Sequence, residues 1–256
     1  NYDLGWQMSF KSMPLKRGQL SWEIADVNSG QDFEIIPEGM RVKFYGISGA
    51  KVTVNIAKYG MAIGLTWETV EGRKLYLFWD QLRDVRAKLF NLWSDIHYGL
   101  LATAATSNQI AYQSGTTVLD KDIATLNLGA NSCGVANKDK GYGDTANARF
   151  KLYASTLLRG RLNQALRAQS AAVISGNKDG QIVDAAIDPF YTLNSAIPAN
   201  KALLILPGHK IQNAVYLREK SFSKEEMETM SQLRSYWTAF GATVADTDQC
   251  YELAFA

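Results

Sequence analysis

Cysteine and histidine are scarce in this chain, two of each in 256 residues. Cys133 and Cys250 cannot make a disulfide framework, carry no metal-ligand spacing, and fit synthesis in a reducing cytoplasm. His97 and His209 exclude a histidine-rich metal centre. Long apolar runs are missing too: stretches such as Ala202 to Pro207 fall far short of a membrane span, and no secretory leader is visible. Neither sign of charge dominates. With 27 basic and 25 acidic residues the net charge is +2, so nothing global calls for a nucleic-acid or anionic-membrane partner.

Catalytic motifs are absent as well. There is no Gly-x-Ser-x-Gly elbow, no phosphate loop and no His-Glu-x-x-His. Gly141-Tyr142-Gly143-Asp144-Thr145-Ala146 fits a loose dinucleotide pattern, but Asn137 to Lys140 precede it in place of an apolar strand, and no acid follows about twenty residues on. The acidic pairs Asp120/Asp122, Asp246/Asp248 and Glu225/Glu226 lie in polar loops or at helix starts, where turn and cap roles are the default. The reading is a non-enzyme with no cofactor and no metal. A soluble enzyme of unknown class is the remote alternative, since catalytic residues can be distant in sequence.

What is present is an α+β pattern long enough for one large domain or two modest ones, with 46% hydrophobic residues. The first 32 residues are polar and aromatic by turns (Tyr2, Trp6, Phe10, Trp22) and read as an extended arm in need of a docking surface. Met40, Val42 and Phe44 alternate with Arg41 and Lys43. Val52, Val54 and Ile56 alternate with Lys51, Thr53 and Asn55, and Gly46-Ile47-Ser48-Gly49 between them supplies a hairpin loop. A lone two-stranded hairpin is marginal in water, so its apolar face is covered either by the rest of its own fold or by a neighbouring subunit.

From Thr69 to about Thr103 a helical period holds, with no proline and, after Gly72, no glycine before Gly99. Phe78, Leu82, Val85, Leu89, Leu92, Trp93, Ile96 and Leu100 fall within an arc of roughly 100°. Some 35 residues would make a rod of about 50 Å, a spine longer than a compact domain needs. Residues 105 to 144 read as loops and short elements. A second helix is predicted from about Thr145 to Ala172 with Asp144 as N-cap. Its basic residues, Arg149, Lys151, Arg159, Arg161 and Arg167, scatter around the axis, which favours pairing with carboxylates over a DNA-facing stripe. Ala202 to Leu206, closed by Pro207-Gly208, reads as a buried strand; His209 to Glu219 as a helix; Ser223 to Glu226 as a capping box opening another helix to about Phe240; and Cys250 to Phe255 as a closing strand.

The order of these parts resembles the major capsid protein of tailed bacteriophages with the Hong Kong 97-like fold. The resemblance rests on an aromatic arm, a hairpin loop, Val54-Asn55-Ile56-Ala57-Lys58-Tyr59-Gly60-Met61-Ala62 leading into a long helix, and Ala202 to Pro207 late in the chain. It implies an N-terminal arm over 1–21, an extended β-hairpin loop over 22–66, a peripheral domain with the spine helix over 67–174, an axial domain over 175–241, and a return strand of the peripheral domain over 242–256. It implies a structural protein that self-assembles through pentamers and hexamers into an icosahedral head shell around phage double-stranded DNA, contacting that DNA weakly and without sequence preference. Scaffolding, portal and minor or cement head proteins would be partners, and no membrane is implied. Localisation would be the virion, with assembly in the host cytoplasm, and the start at Asn1 would suit proteolytic removal of a leading segment.

The implied inter-subunit contacts are Trp6, Phe10 and Trp22 in the arm, with Met40, Val42, Phe44, Val52, Val54 and Ile56 in the hairpin. The implied spine-helix core is Phe78, Leu82, Val85, Leu89, Trp93 and Ile96. The family's lysine-to-asparagine crosslink is not carried over, because no motif around Lys43, Lys51 or Lys58 matches it. An encapsulin-like nanocompartment shell around a cargo enzyme has the same fold and is the alternative.

Overall fold

The computed structural model describes residues 2–16, 18–25, 51–66, 75–174, 183–226 and 231–255. In chain order the elements are strands β1 (Lys11–Pro14), β2 (Ser21–Ala25), β3 (Lys51–Asn55) and β4 (Ala57–Thr66), then helix α1 (Leu75–Ala105). There follow β5 (Gln109–Ile110), helix α2 (Val118–Asn137), β6 (Arg149–Ser155) and helix α3 (Arg159–Ile174). The chain closes with β7 (Ala186–Thr192), β8 (Lys201–Ile205), β9 (Ile211–Glu226), β10 (Ser231–Val244) and β11 (Cys250–Ala254). No helix among the described residues is long and apolar enough to cross a membrane.

The apolar run at 202–206 explains the centre of the fold. A strand buried on one face alternates, whereas one buried on both is apolar throughout. Ala202 and Leu204 pack with Leu126 of α2 and Leu162 of α3 on one face; Leu203 and Ile205 pack with Tyr98 and Leu101 of α1 on the other. Strand β8 lies inside a five-stranded sheet of order β5-β11-β8-β6-β7, antiparallel to both β11 and β6, with β6 parallel to β7. Pro189 sits on the edge strand β7, the place in a sheet where proline is tolerated.

A four-stranded sheet of order β1-β9-β10-β4 makes the second layer. Strands β9 and β10 form a long antiparallel hairpin from Val244↔Ile211 to Ser231↔Glu226, with register shifts around Ala239 where Thr238 Oγ1 donates to the Leu217 carbonyl at 2.8 Å. The link from β8 to β9 turns sharply through two left-handed residues, Gly208 at φ 82° and His209 at φ 53°. The buried Gln249 holds that link, its Nε2 donating to the carbonyls of Leu206 at 3.0 Å and Gly208 at 3.2 Å.

Several expectations need correction. Residues 105–144 are not mainly loop: they contain the 20-residue helix α2, opened by a capping box in which Thr117 and Asp120 each accept from the other's backbone N–H. The helix predicted over 145–172 is a strand followed by a shorter helix, and Asp144 caps a turn by accepting from Ala146 N and Asn147 N. The two helices predicted over 209–240 are β9 and β10: local helix signals there yield to cross-strand pairing along a stretch rich in aromatic and β-branched residues (Tyr236, Trp237, Thr238, Phe240, Thr243, Val244). Strand pairing also crosses the expected boundary at 174/175, because β6 bonds to both β7 and β8, and β11 joins that same sheet. For the spine helix, residues 69–74 lie outside the described residues.

Candidate inter-subunit surfaces

An assembling subunit contacts its neighbours through surfaces that its own fold leaves uncovered. Trp6 and Phe10 do not form a free arm. The N-terminal segment lies on α1, with the Trp6 ring stacked on His97 at 3.6 Å between centroids and edge-on to Trp93 and Phe10, both at 6.0 Å. Asp3 fastens the segment: Tyr98 Oη donates to its Oδ1 at 2.8 Å, Thr192 Oγ1 donates to its Oδ2, and Ser94 Oγ donates to its carbonyl. Tyr153 Oη donates to the Gly5 carbonyl at 3.0 Å and shares a 2.7 Å hydrogen bond with Ser9 Oγ. Alternating polar and aromatic residues look like an arm in sequence because each aromatic finds its cover on an element some ninety residues away or more.

The hairpin also differs from its expected form. Lys51–Asn55 pairs with Ser21–Ala25, Trp22 opposite Val54 and Ile24 opposite Val52. Met40, Val42 and Phe44 lie outside the described residues. The inner face of this ribbon rests on the subunit's own second sheet: Ile24 and Val54 are buried with Ala214, Trp22 and Ile56 pack against them, and Trp22 Nε1 donates to Gln212 Oε1 at 3.0 Å. Gly241 of β10 permits the approach, because a Cβ there would stand 2.4 Å from the Asn55 carbonyl oxygen and 2.9 Å from Val54 Cγ1. The outer face is polar, with Lys51 paired to Glu23 at 3.0 Å in solvent.

On the spine helix, Val85 and Trp93 are buried, Leu89 and Ile96 pack on the core that includes Trp93, and Leu82 is half-buried; the Phe78 side chain lies outside the described set. The buried sector continues through His97, Tyr98, Leu101, Ala104 and Ala105, so it turns away from the arc drawn through Leu92 and Leu100. Burial lowers the His97 pKa to about 4, against the smaller raising pulls of the Trp93 carbonyl and the Asn213 side chain. Its Nδ1–H donates to the Trp93 carbonyl at 2.6 Å.

The exposed surface has its own order. Among the described residues strand β4 is a ten-residue edge bonded only to β10, with Lys58, Met61 and Ala62 exposed. Beside it, Lys58 sits 4.2 Å over the Trp237 ring, Trp237 stacks on the exposed Phe222 at 5.9 Å, and Lys220 sits 4.9 Å over Phe222. Three of the basic residues on β6 and α3 have partners of their own. Lys151 pairs with Asp188 at 2.6 Å, Arg161 with the buried Asp122 at 2.8 Å, and Arg159 lies 5.6 Å over the Tyr191 ring. Lys140 bridges Asp246 at 2.9 Å and Asp248 at 2.5 Å; burial alone would lower its pKa, and those two carboxylates outweigh burial and raise it. Among the described residues no group of three or more His, Cys, Asp or Glu is placed to hold a metal.

Residues 49–252 match the model of a family described as phage capsid protein. The chain belongs to the phage capsid protein family. This decides between the two shell readings in favour of the phage head over the encapsulin-like compartment. Solved structures agree in fold. The mature capsid of bacteriophage PhiM1 is similar at TM-score 0.67 and 10% identity, over 98% of this chain and 86% of that one. The capsid of cyanophage P-SCSP1u gives TM-score 0.63 and 11% identity over 96% and 86%. The capsid of an empty GTA particle, computed with C5 symmetry, gives 0.61 and 9% over 98% and 88%. No curated protein matches. At such low identity the likeness carries the fold alone, and the fold is Hong Kong 97-like. The capsid protein is thus a structural component of the virion that acts as a homo-oligomeric shell.

Proposed function

We propose that this capsid protein forms pentamers and hexamers that close an icosahedral head around double-stranded phage DNA. Assembly takes place in the host cytoplasm, with scaffolding, portal and minor or cement proteins as partners. The observation that carries this reading is the rooted ribbon. Strands β2 and β3 are clamped on β9 and β10 by Val54, Ile24 and the Trp22–Gln212 hydrogen bond, so the strands that flank the predicted hairpin loop have a fixed base on the subunit. In this reading Met40, Val42 and Phe44 make the inter-subunit contact, and Val54, Trp6 and Phe10 hold the subunit together. The four-stranded sheet with α1 serves as the peripheral domain. The five-stranded sheet with α2 and α3 serves as the axial domain, which therefore begins near residue 109 and regains the chain at β11. Paired basic residues support weak contact with DNA that ignores sequence. Electron microscopy of the purified protein tests the proposal: closed icosahedral particles that enclose DNA are expected, and a dispersed small oligomer under all assembly conditions would overturn it.

A further inference from the structure

Strands β6 and β7 run parallel and in register from Arg149↔Ala186 to Ser155↔Thr192. Both therefore start at one end of the five-stranded sheet and finish at the other, about 20 Å away at roughly 3.3 Å per residue. The two ends carry opposite shapes. At the starting end a groove of about 660 Å³ opens between the second half of α2 and the lead-ins to the two strands. Ala130, Phe150 and Ala185 line it, and Leu128 and Val135 stand exposed on its helical wall, seven residues apart on one face. At the finishing end the chain leaves β6 and β7 side by side and at once presents Leu157 and Leu193. At 77% and 85% exposure these are the two most exposed large hydrophobics among the described residues.

Charge follows the same division. Arg159, beside Leu157, rests over the Tyr191 ring and makes no ion pair among the described residues, while Asp184 lines the groove and makes none either. Lys138 also lines the groove, within 3.9 Å of Asp139.

We infer that Leu157 and Leu193 of one copy dock into the groove beside Leu128 and Val135 of the next, with Arg159 facing Asp184. The inference deepens the shell reading above and rests on it. Every copy carries both the knobs and the groove, on opposite ends of one rigid sheet. Such a heterologous contact repeats head to tail, and when the rotation closes, no knob and no groove is left over. A small ligand or an unrelated protein would fill the groove and leave both leucines in water. A second copy removes both apolar surfaces together.

Paired cysteines test the contact, because Cys133 and Cys250 are buried and do not compete. The Leu193→Cys/Val135→Cys and Leu157→Cys/Leu128→Cys chains are assembled, oxidised mildly and run on a denaturing gel without reductant. The expected result is loss of the monomer band into a ladder ending at the pentamer or hexamer, from at least one of the pairs, with no crosslink from any single variant. All four positions are exposed, so unchanged melting should confirm that the variants fold. Shells that assemble without a ladder overturn the contact alone, as does a dimer from Leu193→Cys or Leu157→Cys by itself, which would mean that the leucines meet each other. A wild-type chain that never forms shells overturns the shell reading, and the contact with it.

Discussion

The indole of Trp6 lies nearly parallel to the imidazole of His97, with centroids 3.6 Å apart and planes 18° from parallel. The pair locks the N-terminal segment to the spine helix and lies in the same buried cluster as Phe240, so three distant parts of the chain share one core.

Removing the indole opens a large cavity there. Trp6→Ala should destabilise the subunit by about 3 to 5 kcal/mol, as judged by denaturant unfolding. A variant as stable as the parent but unable to assemble would return Trp6 to the free-arm role.

Acid should act through His97. Its pKa falls from an ordinary 6.5 to about 4 in the folded chain, so the neutral form is the one that fits. Above pH 6.5 the residue is neutral in both states and contributes no pH dependence. As pH falls from 6.5 towards 4 the unfolded chain takes up the proton and the folded chain does not, so stability drops, by about 3 kcal/mol in all. Unfolding measured across this window should slope for the parent and flatten for His97→Phe, and equal slopes would refute the assignment.

The ribbon depends on one missing methyl group. Gly241→Ala brings a Cβ to 2.4 Å from the Asn55 carbonyl oxygen, which belongs to backbone and cannot swing aside. Amide exchange at Ser21–Ala25 and Lys51–Asn55 should speed up while the amides of β8 stay protected, at a cost of about 1 to 3 kcal/mol. Val54→Asp should loosen the same segment from within the subunit; normal ribbon protection together with blocked assembly would place Val54 at an interface.

Asp122 is 2% exposed and accepts from Arg161 at 2.8 Å and from Tyr112 Oη at 3.0 Å. Arg161→Met leaves that carboxylate buried without its cation. Because the arginine is itself one-third exposed, the loss should be near 2 to 3 kcal/mol, below the value for a fully buried pair. The double variant with Asp122→Asn should recover part of it in thermal melts.

The elements legible in sequence are those whose burial pattern is self-contained. Strand β8 announces itself as an unbroken apolar run because helices cover both its faces, and α1 by a stripe that needs no knowledge of its partner. Helix α2 hides because it is built for close approach: a Cβ at Gly129 would lie 2.6 Å from Leu253 Cδ2, so a glycine that argues against a helix in sequence is what lets this helix sit on β11. Thr117 and Asp120 were the available signal, a capping box with aspartate in the usual place of glutamate. Strands β9 and β10 failed for the opposite reason, since Ser223 to Glu226 imitates a helix start and only long-range pairing overrules it. The N-terminal segment reads as a free arm because it has no local partner, whereas Trp6 finds His97 ninety-one positions away.

The long β9–β10 hairpin carries a mechanical consequence. Its cross-strand hydrogen bonds stand perpendicular to the strands, and β10 is bonded on both sides, to β9 and to β4. A pull along the strand axis therefore stretches every rung together, whereas a pull at the open end would part them one by one. A lattice that loads this hairpin lengthwise makes each subunit resist as a whole ladder, and the direction of strain, more than its size, decides whether the subunit holds.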